Sequence, residues 1–129
     1  MEMSKVTQIG GDHYSGDYQH WDMVIDTNMH YLLGCATKYI QRDKGNRYED
    51  LEKAISFVNK AQYARVRGIH QDDYDNVDRW LLGYNLSKLE TEVIWAIVQA
   101  DLPKAEHLLN DLLEEVVQKD LKGYVNQDR

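Results

Sequence analysis

The sequence predicts an all-α fold: a compact bundle of about five helices, preceded by a glycine- and aromatic-rich loop. Three observations lead there. Apolar residues recur at three- and four-residue steps through most of the chain. Helix-start patterns, Asn46-x-x-Glu49 and Ser87-x-x-Glu90, stand just ahead of such runs. No segment alternates with the period of two that a half-buried strand needs.

Residues Met1 to Gln8 form a loose lead-in, followed by GGDHYSGDYQHWD from Gly10 to Asp22. That stretch is too polar and too broken by glycine to be helical. From Trp21 a short helix begins, with Trp21, Val24 and Ile25 on one side, stopping near Thr27-Asn28. Asn28 is a candidate cap for the next helix, His30 to about Arg42. Its apolar face is Leu32, Leu33, Ala36, Tyr39 and Ile40, and Gly34-Cys35 suits close helix contact. After a turn at Asp43-Lys44-Gly45-Asn46 a third helix runs from Arg47 to about Arg67, with Gly68 as a left-handed stop. Leu51, Ala54, Ile55, Val58 and Ala61 make its buried stripe, with Phe57 at the edge. Residues 68–76 read as an acidic turn, and Val77 to Tyr84 as a short helix. Ser87 opens a helix to about Ala100 that is apolar on most sides through Val93–Val98. It is therefore central or at a subunit interface. Asp101 and Pro103 restart the chain, and a last helix to about Leu121 aligns Leu108, Leu109, Leu112, Leu113, Val116 and Val117. This divides the chain into residues 1–68, a glycine-rich loop plus helical hairpin, and residues 69–129, a helical region for core and association. The apolar surface of Val93–Val98 and the last helix predicts a homo-oligomer.

A chain of 129 residues with a formal charge of −7 is one domain, or one compact domain with an appendage, and it is poorly suited to a nucleic-acid polymer, whose phosphates call for surplus lysine and arginine. The one cysteine, Cys35, makes no intrachain disulfide. No segment resembles a signal peptide or a membrane span, so a cytosolic protein without a membrane partner is expected.

No GxxxxGK[ST] or GxGxxG loop is present, and one cysteine cannot build a Cys/His metal quartet. Asp72, Asp73, Asp75 and Asp78 lack the glycine and terminal glutamate of a calcium loop, so a solvated turn is preferred. Glu49 and Glu52 offer half of a carboxylate pair for magnesium, but no ExxD follows. They read as a cap and a solvated face. No metal and no cofactor are expected. The positive signal is cationic. Lys38 and Arg42 are four apart on one helix, Lys44 and Arg47 lie at the following turn, and Lys53 is on the next helix. Such a group suits phosphate, arginine as a forked donor and lysine as a point charge, or is plain surface charge. In the glycine-rich stretch, Gly10 and Gly11 allow close backbone approach. Asp12 and His13 offer hydrogen bonds, and Tyr14, Tyr18 and Trp21 offer stacking faces. These are the parts of a nucleotide pocket, or equally of a closed turn packed on the helices.

GGDHY, HWD and GCATKYIQRDKGNRYEDLEKAISFVNKA, in this order, resemble the SaV-like phage protein family. The matching positions are Gly10, Gly11, His13 and Tyr14, then Trp21, then Gly34, Lys38, Tyr39 and Arg42, then Asp50, Leu51, Lys53 and Ala54. His20 stands where many relatives carry proline. The resemblance covers residues 8–64 and does not extend past Gly68. It includes a podoviral nucleoside-monophosphate kinase that lacks a Walker loop and is oligomeric. It therefore implies a phage protein acting in the cytoplasm of the infected bacterial host, on a small nucleotide. The ligand residues it selects, joined to those read from the loop, are Gly10, Gly11, Asp12, His13, Tyr14, Trp21, Lys38, Tyr39, Arg42 and Lys53, with no catalytic residue assigned. The leading expectation is non-catalytic capture of a nucleotide-type signal, such as a cyclic nucleotide or an ADP-ribose derivative, as an anti-defence sponge. Nucleoside-monophosphate kinase activity is the alternative. A helical adaptor, docking a host protein through the last helix, is a third.

Overall fold

The computed structural model describes residues 18–42 and 45–127. They form α1 (His20–Asp26), α2 (Tyr31–Gln41), α3 (Arg47–Tyr63), a 3-10 turn (Gln71–Asp73), α4 (Tyr74–Leu81), α5 (Lys88–Val98) and α6 (Leu102–Gln127). No strand occurs among the described residues, and the protein is all-helical.

The long helices close a ring. α2 packs on α3, α3 on α6, α6 on α5, and α5 back on α2, which is the contact pattern of a four-helix bundle. α1 and α4 pair with each other beside it. The interior is filled by Leu33 and Ile40 of α2, Leu51 and Val58 of α3, Ile94 and Ile97 of α5, and Leu109 of α6, all fully buried. One core thus draws on both sides of Gly68. α5 is the central helix: Val93, Ile94, Ala96, Ile97 and Val98 are all buried within the chain, as are Leu102, Ala105, Leu109 and Leu112 of α6. The apolar surface from which self-association was expected is therefore used up largely inside one chain.

Local chemistry explains the helix starts. Ser87 and Glu90 exchange backbone and side-chain hydrogen bonds at 3.1 and 2.7 Å, the reciprocal box that their spacing predicts. Asn46 Oδ1 accepts from Glu49 N–H at 3.0 Å. The Glu49 carboxylate pairs with Lys53 at 3.4 Å.

The helix stops differ from expectation. α2 is capped by His30, whose Nδ1 accepts from Leu32 N–H at 3.0 Å, and not by Asn28. Asn28 instead ends α1 in the left-handed region, at φ 51°. α3 ends at Tyr63, with Arg65 at φ 55° taking the left-handed position expected of Gly68. Val66 N–H reaches Ala61 O at 3.0 Å, the hydrogen bond of a Schellman motif. Gly68 serves close approach. A Cβ there would lie 2.5 Å from the carbonyl carbon of Gln99, where Ile69 N–H donates to Val98 O at 2.9 Å. α4 starts three residues earlier than its apolar pattern suggests, because His70 caps a 3-10 turn that runs into it. α6 continues to Gln127.

α1 is rotated from the expected face. Met23 is buried, the Val24 side chain would lie 3.5 Å from a Cβ added at Gly34, and Trp21 and Ile25 are 43% and 73% exposed. A two-turn helix that packs mainly on α4 buries only the residues at its few contacts, which leaves Trp21 at the surface.

Candidate functional site

The site is built around the last turn of α2. A helix C-terminus leaves carbonyls without intrahelical donors. Here one side chain supplies them: Arg47 Nη1 donates to Ile40 O at 2.8 Å and to Arg42 O at 2.9 Å. Its Nη2 makes an ion pair with Glu90 of α5. Arg47, read from sequence as part of a cation group suited to phosphate or as plain surface charge, is thus a clamp joining α2, α3 and α5. Lys38 and Arg42, one turn apart, are left out of that capping. Neither has an ion pair among the described residues.

Both line a cleft of about 1280 Å³. Gln19, His20 and Trp21 form its wall at the start of α1, and residues of α6, Glu115, Lys119 and Asp120 among them, form the opposite wall. The α1/α2 side is cationic, through Lys38 and Arg42. The far side is mixed, with Glu115 and Asp120 beside Lys119.

Of the predicted ligand residues, Trp21, Lys38 and Arg42 come together on this cleft. Tyr39 and Lys53 stand next to it, on the α2–α3 face. The Tyr39 ring stacks on Phe57 with centroids 5.9 Å apart. It carries the Lys38 and Lys53 ammonium groups at 5.3 and 5.5 Å from its centre. Lys38 therefore belongs both to the cleft and to this aromatic platform. Gly10, Gly11, Asp12, His13 and Tyr14 lie outside the described residues, as does Lys44.

The chain is fixed where it joins α1. The Tyr18 hydroxyl donates to Asp26 Oδ2 at 2.7 Å, with Asn76 Oδ1 at 3.2 Å, and the Arg79 guanidinium stacks 4.2 Å from the ring centre. Burial and the Asp26 carboxylate hold the Tyr18 phenol well above its ordinary titration range. Tyr18, read as a stacking face for a ligand, is here an anchor between α1 and α4.

His20 is the site residue that sequence reasoning passed over. Its Nε2 lies 2.9 Å from Thr37 Oγ1, and its ring meets Trp80 edge-on at 5.1 Å. Burial, reinforced by the nearby Lys38 charge, pushes its pKa down to about 4, so the imidazole is neutral at pH 7. The signal available was the pair His20-Trp21 itself, but nothing in the residues alone says that the histidine turns inward and the tryptophan outward.

No metal-binding group of three or more His, Cys, Asp or Glu occurs among the described residues. No described helix is long and apolar enough to cross a membrane. Comparison with protein-family models, with curated proteins and with solved structures finds no match.

Proposed function

We propose that the cleft between α1, α2 and α6 captures a small phosphate-bearing nucleotide without transforming it. One observation carries this reading: Trp21, Lys38 and Arg42, chosen from sequence as ligand residues, line the same cleft. Lysine and arginine one turn apart supply a point charge and a forked donor for phosphate. Trp21, 43% exposed at the same wall, supplies a stacking face. Because Arg47 meets the carbonyls at the end of α2, these two cations are left for an anion. The resemblance of the motifs to the SaV-like phage family supports a nucleotide as the phosphate carrier and a phage origin.

Nucleoside-monophosphate kinase activity is the second reading. The cleft volume of about 1280 Å³ favours it, since it exceeds the range of roughly 300–1,000 Å³ usual for one small ligand. Against it stands the far wall, where Glu115 and Asp120 would repel the phosphates of a triphosphate donor.

The two readings separate in one experiment. The protein is mixed with nucleoside monophosphates, cyclic nucleotides and ADP-ribose derivatives, and heat is used to release what it holds. A parallel sample receives a monophosphate and a triphosphate donor. Capture predicts intact ligand, about one per site, and no diphosphate. Many turnovers of diphosphate per chain would reject capture in favour of the kinase. Failure to retain any nucleotide would reject both.

A further inference from the structure

The cleft wall holds a hydrogen-bonding group of fixed polarity. Thr37 Oγ1 lies 3.0 Å from both Leu33 O and Gly34 O, so its single proton is engaged by carbonyls of its own helix. The same oxygen is 2.9 Å from His20 Nε2 and must accept there. Nε2 therefore carries the imidazole proton. In a neutral ring the other nitrogen, Nδ1, is then a bare acceptor. The Gly34 carbonyl also accepts from the imidazole, which fits a proton on Nε2, and His20 lines the cleft together with Lys38 and Trp21. The ring is held in place by its edge contact with Trp80.

We propose that His20 acts as a specificity residue, admitting phosphate-bearing ligands that present a hydrogen-bond donor, an amino or hydroxyl group, to Nδ1. This rests on the reading of the cleft as a nucleotide site. An acceptor that stays uncharged near pH 7 discriminates by geometry. A ligand amino or hydroxyl group gains a hydrogen bond. A carbonyl at that position meets a lone pair and leaves Nδ1 desolvated without a partner. The cations beside it fix the phosphate and are indifferent to this choice, so affinity and selectivity are divided between different residues.

The test uses three probes with the whole chain: adenosine 5′-monophosphate, inosine 5′-monophosphate and 2′-deoxyadenosine 5′-monophosphate. The inosine probe replaces the base amino group with a carbonyl, and the deoxy probe removes a sugar hydroxyl. Calorimetric titration is expected to show one of the two altered probes binding roughly tenfold more weakly than adenosine monophosphate. Which probe suffers identifies the donor as base or sugar. His20→Gln keeps a donor for Thr37 but has no Nδ1, and should bring the members of that pair to within about twofold. His20→Phe keeps a ring against Trp80 and removes both nitrogens. It should relax the same preference even if the glutamine variant folds poorly. Lys38→Ala should weaken all three probes alike. Equal binding of all three to the unaltered protein overturns the inference, as does a preference that survives both variants. If Lys38→Ala still weakens every probe in that case, only the role of His20 is lost. If Lys38→Ala changes nothing, or no probe binds, the nucleotide reading fails with it.

Discussion

At the residue scale, His20 and Arg47 do most to shape the site. His20 titrates near pH 4 in the folded chain and near pH 6.5 in the unfolded one. Between those values the unfolded state binds the extra proton, so stability falls as pH drops from about 6.5 through 4 and is fully present above that window. Such a difference corresponds to about 3 kcal/mol at the acid end. Urea unfolding of the protein at pH 7 and pH 4.5 should show most of this loss, and His20→Gln should flatten it. An unchanged acid dependence in the variant would place the sensitive group elsewhere. Arg47 has a different role. Removing its side chain strands the α2 carbonyls and leaves Glu90, about one-fifth exposed, without its cation. Arg47→Ala should cost roughly 3 kcal/mol in denaturant titrations. Neither role was legible in the sequence. A histidine beside a tryptophan does not say which of the two turns inward, and an arginine after a turn looks the same whether it meets solvent or a helix end. The proximity of Lys38 and Arg42 was legible from their four-residue step, although Arg42 is the extended C-cap of α2 and not part of its last turn.

At the element scale, apolar periodicity located α2, α3, α5 and α6 well, and the Ser87–Glu90 box fixed the start of α5. What periodicity missed was how helices end. Three of them stop with non-glycine residues in the left-handed region: Asn28 at φ 51°, Arg65 at φ 55° and Ala100 at φ 57°. A reader who looks for glycine at such stops will choose Gly68, which instead lets the chain after α3 lie against the end of α5. Two opposite mutational effects follow. Arg65→Gly and Ala100→Gly relieve left-handed strain and should each raise stability by roughly 1 kcal/mol in thermal or urea unfolding. Gly68→Ala should lower it, because a Cβ 2.5 Å from a backbone carbon forces the two segments apart. A stabilised Gly68→Ala would mean that this connection does not pack as described. The face of α1 was misjudged for a related reason. Seven residues give too few turns for a stripe to set in, and the packing on α4 and the His20–Thr37 contact with α2 decide the rotation instead.

At the scale of the whole molecule, the ring of α2, α3, α6 and α5 is a scaffold, and α1 and the last part of α6 form the two walls of a cleft at one end of α2. The all-α class followed from pattern alone, although six helices stand among the described residues where about five were expected. The cleft did not, since it depends on residues distant in sequence, from the start of α1, the end of α2 and α6, lining one space. The central claim is that Trp21, Lys38 and Arg42 act together on one phosphate-bearing ligand. The indole N–H resonance of Trp21 reports on this directly, with that of Trp95, packed edge-on against Tyr74 at 5.4 Å, as an internal reference. Titration with the nucleotide that the protein retains should shift the Trp21 signal to saturation at one ligand per site and leave Trp95 in place. The shift should vanish in a folded Lys38→Ala, Arg42→Ala double variant. A Trp21 resonance that stays still while nucleotide binds, or that shifts equally in the double variant, would contradict the account.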